Sequence, residues 1–213
     1  MTEFKLVKIS DFTYSLKIQG DYVSVLYQSI KKVMKSIHYD EEKSIIFFSA
    51  ENVVPFKEYL LEHKTYKKCI KMVDDLTKQM IYLNKKGYGF YGLDINDILT
   101  IDNICIFCSI KNILPVIEDN IIFYYPIKTP YFSSPEIIKL TNLPSEINYK
   151  CAFYSLGALV VFYLLNRYLL VGNEIKSVEE IEKILLPLNN TKIYWFIKRC
   201  LEENTHNRVL LLI

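Results

Sequence analysis

Residues Cys151 to Leu165 read CAFYSLGALVVFYLL, a run of about 15 residues without a charge, closed by Asn166-Arg167. A bilayer span takes roughly 20 such residues, so this run is too short to cross a membrane. A helix that is apolar all round is otherwise the buried centre of a domain, and the rest of the chain has to be arranged around it. With 213 residues, 51% of them hydrophobic, there is enough material for one large domain or two small lobes around that helix. A second helix is predicted upstream, where Tyr66, Cys69, Val73, Leu76, Met80 and Leu83 recur at spacings of three and four. It lays a single stripe on the core, with Lys and Asp between the apolar positions.

The remaining elements follow from local pattern. Lys5 to Ile9 and Thr13 to Ile18 alternate polar and apolar residues and read as two short strands, broken by Gln19-Gly20-Asp21. From Asp21 to Ile37 the apolar positions Val23, Tyr27, Ile30, Val33, Met34 and Ile37 predict an amphipathic helix. Ile45 to Phe48 is a buried strand after the turn at Asp40-Glu41-Glu42-Lys43, and Ile98 to Phe107, broken at Asp102-Asn103, is a β-hairpin. Leu114 to Pro130 carries prolines and reads as a loop with one strand in it. Ser177 with Glu180 is a capping box opening a helix through Leu186, Pro187 ends it, and Thr191 to Glu203 forms another. These elements predict an α+β fold: a small β-rich part over residues 1–50 and a mainly helical part over 51–213, within a single domain spanning 1–213.

Residues Leu83 to Leu99, LNKKGYGFYGLDINDIL, follow the striped helix and resemble a protein-kinase catalytic loop without its catalytic groups. In that family the loop reads roughly L-H-x-x-G-(two apolar)-H-R-D-L-K-x-x-N-I-L, the Asp accepting the substrate hydroxyl proton and the Asn holding a metal ion. Leu83, Gly87, Leu93, Ile98 and Leu99 match without gaps. Phe90-Tyr91-Gly92 stands where His-Arg-Asp is expected, Asp94 falls at the lysine and Asp97 at the asparagine. Gly92 has no side chain and cannot accept a proton.

Downstream landmarks come in the same order. After Ile104-Cys105-Ile106-Phe107, the metal-binding Asp-Phe-Gly is replaced by Cys108-Ser109-Ile110. Tyr131-Phe132-Ser133-Ser134-Pro135-Glu136 resembles the segment ending in Ala-Pro-Glu, and Tyr154-Ser155-Leu156-Gly157 resembles the Trp-Ser-Leu-Gly of the family's central helix, with Ala152 at the Asp that opens the motif. Arg199-Cys200-Leu201, then Asn204 and Arg208, resembles the closing pattern whose Arg pairs with the Glu of Ala-Pro-Glu. The resemblance therefore implies a structural ion pair between Glu136 and Arg208. It covers about Ile45 to the end. It implies a two-lobe kinase-like fold with a truncated small lobe, since a full kinase domain is longer by roughly 40 to 60 residues.

Residues that hold such a fold together are kept, and those that touch nucleotide, metal or proton are replaced. A phosphate-covering loop needs several glycines, yet Gly20 is alone in the first 50 residues. Tyr14-Ser15-Leu16-Lys17 resembles the strand carrying the phosphate lysine, which makes Lys17 the candidate, but its Glu partner is expected where Tyr27 and Gln28 stand. The resemblance implies a pseudokinase, with no ATP, metal or other cofactor, acting on a protein partner as scaffold, decoy or allosteric regulator. Two alternatives stay open: a residual phosphotransferase with displaced catalytic groups, for which Asp94, Asp97 and Asp102 could hold one magnesium, and a structural subunit of a larger assembly.

Charge and cysteines bound the setting. Lys+Arg 26 against Asp+Glu 24 gives +2, no electrostatic case for nucleic acid. The lysine clusters Lys31, Lys32, Lys35 and Lys64, Lys67, Lys68, Lys71 read as solvated helix faces. The N-terminus MTEFKLVKIS has no apolar segment of the secretory kind, and five cysteines without paired spacing read as reduced thiols in a cytoplasmic compartment. Cys105 and Cys108 form C-x-x-C, but a zinc site needs a second pair and none follows. Seventeen Tyr, with abundant Ile, Lys and Asn, fit an AT-rich genome such as that of a large DNA virus or an intracellular parasite.

Overall fold

Alternation in the first 50 residues builds a four-stranded antiparallel sheet. A computed structural model describes residues 4–62, 64–172 and 174–212. In it β1 (Phe4–Ser10), β2 (Thr13–Ile18), β3 (Ile37–Asp40) and β4 (Ile45–Ser49) pair in the order β1-β2-β4-β3. Tyr14, Leu16 and Ile18 point inward to a core that also takes Val23, Leu26 and Ile30 of α1 (Val23–Ile30). The helix is shorter than the expected Asp21 to Ile37. After Ile30 the amides of Val33 and Met34 both donate to the Ile30 carbonyl in a turn, and Ile37 becomes a strand residue opposite Phe48. Both conformations bury an apolar residue at those positions, so periodicity alone could not separate them, and pairing with β4 decides the outcome.

Past Ser49 the chain enters a second set of elements: β5 (Val53–Pro55), α2 (Phe56–Glu62) and α3 (Tyr66–Lys85). Thr65 caps α3, its hydroxyl accepting from the Lys68 amide at 3.2 Å. β6 (Tyr88–Phe90), the hairpin β7 (Ile98–Ile101) and β8 (Ile104–Phe107), β9 (Ile113–Pro115) and β10 (Asn120–Phe123) follow. Asp102 and Asn103 turn the hairpin with φ of 47° and 66°, the left-handed pair a two-residue hairpin turn requires. β5 joins it to make a three-stranded sheet, and β6 pairs with β9. The expected loop over 114–130 thus holds strand residues at both its start and its middle.

After α4 (Pro135–Ile138) and β11 (Ser145–Asn148), which pairs with β10, comes α5 (Cys151–Leu165). Leu156, Leu159, Val160, Val161 and Tyr163 are all fully buried, as a helix without a polar face must be. β12 (Leu170–Val171) and β13 (Glu174–Ile175) form a ribbon, then α6 (Val178–Leu185) opens with both halves of its capping box in place. α7 (Lys192–Cys200) packs on α5 and stops three residues before the expected Glu203. Among the described residues of 51–213 helices dominate, but four small sheets are interleaved with them. Among the described residues no helix is long and apolar enough to cross a membrane.

Two side chains of α3 that the periodicity places outside the stripe are buried. Asp75 Oδ2 accepts from the Cys105 amide at 3.1 Å, and Gln79 both donates to the Cys105 carbonyl at 3.0 Å and accepts from the Phe107 amide at 3.1 Å. Together they satisfy the outer edge of β8, which would otherwise bury unpaired backbone groups. Burial pushes the Asp75 carboxyl up, against the opposing pull of Lys71 at 2.5 Å.

Candidate functional site

The loop joining β6 to β7 is built on close contacts. Phe90 packs on Phe107 with ring centroids 4.4 Å apart, and the Cys151 thiol at the start of α5 donates to the Phe90 carbonyl at 3.7 Å. Gly92 follows. A Cβ there would lie 2.7 Å from Cγ of Pro130, so the backbone passes too near the proline ring for any side chain. The next residue, Leu93, bridges to Phe132, whose amide donates to the Leu93 carbonyl at 3.2 Å. The Pro130 segment is thereby laid across the loop.

Asp94 and Asp97 turn inward toward Lys111 and not toward open solvent. Asp94 accepts from the Asn96 amide at 2.9 Å, capping a 3-10 turn. Lys111 Nζ lies 2.8 Å from Asp97 and 3.7 Å from Asp94, and the Asn112 amide nitrogen reaches Asp97 at 3.4 Å. Cys108 is fully buried, its amide donating to the Asp97 carbonyl at 2.8 Å. Burial, then the nearby Asp97 carboxylate, pushes the Cys108 thiol well above its ordinary value. The space between Phe90, Gly92, Asp97, Phe107, Ser109 and Asn112 is too narrow to admit a water molecule. From the other side Ile110 packs against Gly20, whose φ of +133° and missing side chain allow the approach.

The three carboxylates of the residual-phosphotransferase alternative do not converge. Asp102 sits at the far end of the hairpin, where it accepts from the Asn52 amide at 2.8 Å and the Glu51 amide at 3.1 Å. Among the described residues no group of three or more His, Cys, Asp or Glu could hold a metal ion. Lys17 is also apart from the loop. It lies on the exposed face of β2, directly across from Lys5, because Leu16 and Ile18 take the inward positions of the alternation. Lys17 is thus an exposed strand lysine.

Glu136 and Arg208 come together as a two-toothed ion pair. Arg208 Nη2 donates to Glu136 Oε1 at 2.6 Å and Nη1 to Oε2 at 3.2 Å. Arg208 is 0% exposed against 26% for the Glu136 side chain. Its Nε donates to the Glu202 carbonyl at 2.8 Å, and its guanidinium lies 5.2 Å from the Tyr154 ring centre. Glu136 is in the first turn of α4, and Arg208 is extended, just past a 3-10 turn at Thr205–Asn207. Burial would raise the Glu136 carboxyl; the Arg208 hydrogen bonds and charge outweigh that and hold it below its ordinary value.

Sequence reasoning missed Lys111, Asn112 and Pro130, which fill the site. Lys111 and Asn112 follow directly on Cys108-Ser109-Ile110, and Pro130 directly precedes Tyr131. No protein-family model matches the chain, and no curated protein matches it either.

Proposed function

We propose that this protein is a pseudokinase: a kinase-like fold that does not transfer phosphate and acts by binding a protein partner. The observation that carries the reading is the filled crevice at Gly92. Phosphoryl transfer needs a base, metal ligands and a nucleotide cradle around an open cleft. Here the base position lies against Pro130, the carboxylates are tied to Lys111, and the space left between them is too narrow to admit a water molecule. The order of elements supports the kinase-like part. Strand pair, helix and strand pair are followed by α3, the β6 loop, the β7–β8 hairpin, the Glu136 turn and the apolar α5, and the ion pair with the buried Arg208 ties the Glu136 turn to the chain after α7.

The test is thermal denaturation with millimolar Mg-ATP, together with a phosphotransfer assay. A ligand that binds only the native state raises the melting temperature by mass action. The expected result is no shift and no labelled product. A rise of several degrees would favour the residual phosphotransferase over the pseudokinase.

A further inference from the structure

Two concavities along the last turns of α3 share Ile81 and Lys85 and form one track. The first, about 580 Å³, is walled by Lys32, Lys78, Lys85 and Lys86 around Tyr82. The second, about 320 Å³, is mainly apolar, with Ile81, Val116, Tyr149 and Phe153. Sequence reading put Lys32 on a solvated helix face. The fold instead brings it from the turn after α1 over the Tyr82 ring at 4.7 Å, with Lys86 also over that ring at 5.9 Å.

We infer that this track docks an acidic segment of a partner protein, its carboxylates over the lysines and one large apolar side chain in the neighbouring cavity. The inference rests on the partner-binding function proposed above. Charge complementarity selects the occupant: four cations line the first concavity and no carboxylate does. Asp74 lies beside it but is taken by Lys78 at 2.6 Å. The apolar cavity has one acid, Asp119, at its edge. Helix-end compensation accounts for part of the charge, since Lys31 and Lys86 cap the C-terminal ends of α1 and α3. It does not account for Ile81, 38% exposed beside those lysines, or for a hollow large enough for a leucine or phenylalanine side chain.

The experiment is fluorescence anisotropy of the full chain with a labelled peptide of Asp and Glu residues ending in Leu. Controls are a Lys/Arg peptide and an acidic peptide with Gly in place of Leu. The acidic Leu peptide is expected to bind in the micromolar range, more weakly as salt rises. Lys85→Glu with Lys86→Glu should weaken it about tenfold or more, as should Ile81→Asp and the loss of the Leu anchor. Arg167→Glu with Lys183→Glu, at a separate cationic groove beside Leu165, should leave it unchanged. Lys85→Gln with Lys86→Gln, a milder pair, should give a smaller loss in the same direction with the melting temperature little altered. Absence of binding, equal loss in the Arg167/Lys183 variant, or equal binding of the Gly peptide would each overturn the docking site. Those failures leave the pseudokinase reading standing, because it falls only to nucleotide binding or phosphotransfer.

Discussion

Replacing Arg208 with alanine tests the C-terminal third of the structure at one atom group. The guanidinium makes two charge-assisted hydrogen bonds to Glu136 and a third to the Glu202 carbonyl, at 2.6, 3.2 and 2.8 Å. Each such bond contributes about 1.5–3 kcal/mol net, and removing one partner of a buried pair costs about 3–5 kcal/mol overall because a charge is stranded. Here the stranded group is Glu136, whose 26% exposed side chain regains water. The lower end, about 3 kcal/mol, is therefore expected. That is a fall of about 6–12 °C in melting temperature for a chain of this size, or about 1 M in urea midpoint. Removing Glu136 strands Arg208 instead, which is 0% exposed and has no water to turn to. Glu136→Leu is thus expected to cost more than Arg208→Leu. Equal costs, or an Arg208→Ala midpoint that does not move, would refute the reasoning.

The pH dependence checks the same pair independently. The Glu136 carboxyl is held below its ordinary value of 4.5. A depressed folded-state value contributes stability that is fully present above the unfolded value and lost as pH falls through the folded one. The gap between the native chain and Arg208→Ala should therefore be widest above about pH 5 and narrow on acidification. A gap that widens in acid would mean the pair is not charged as described.

Other outcomes can be checked with the same stability assays. Gln79→Ala leaves the Cys105 carbonyl and the Phe107 amide unpaired on β8 and should cost about 2–4 kcal/mol in urea unfolding. Asp75→Asn keeps an acceptor for the Cys105 amide while removing a buried charge, so it should stay within about 1 kcal/mol of the native chain, against about 1–3 kcal/mol for Asp75→Ala. Gly92→Asp should destabilise by about 1–3 kcal/mol through overlap with Pro130, and its combination with Asp97→Asn and Cys108→Asp should give an unfolded chain and no kinase, which circular dichroism would show. All five cysteines are buried and free, and burial pushes Cys69, Cys105 and Cys151 up to about 12. A thiol reagent at pH 8 should therefore label the folded protein slowly and the unfolded protein quickly.

What the sequence made legible was what depends on short-range pattern. The α3 stripe, the apolar α5, the Asp102-Asn103 hairpin and the Ser177 capping box each need only neighbours within a few residues, and the structure has all four. The errors fall where distant chain decides. Ile37 follows the helical spacing of α1 but becomes a strand residue because Phe48 lies opposite it. Asp75 and Gln79 lie outside the stripe and carry no periodic signal of burial, and they are buried because β8 needs partners for its free edge. Lys17 is placed by sheet parity: its neighbours Leu16 and Ile18 are 0% exposed, which turns Lys17 outward. The landmarks located the candidate site, but what fills it came from Lys111 and Pro130, residues whose types carry no signal at those positions.

The filling of that site also bears on how it could be changed. Two carboxylates, Asp94 and Asp97, lie within 4 Å of one ammonium, Lys111. A metal ion entering between them would have to displace that ammonium, whose side chain is 32% exposed, and also widen a space too narrow for a water molecule beside the Phe90–Phe107 contact. An active phosphotransfer centre holds its charges unneutralised until metal and nucleotide arrive, at a cost in stability. This chain neutralises them internally. Catalytic groups acting as a unit do not return one at a time, and here the obstacle is physical: Pro130 over Gly92, Lys111 on Asp97 and the burial of Cys108 each oppose the group that would have to come back. On the proposed reading the loop is retained because its contacts with Pro130, Phe132 and Cys151 join α3, α5 and the segment before α4. Selection on a partner-binding shape would preserve those contacts whether or not chemistry had ever occurred beside them.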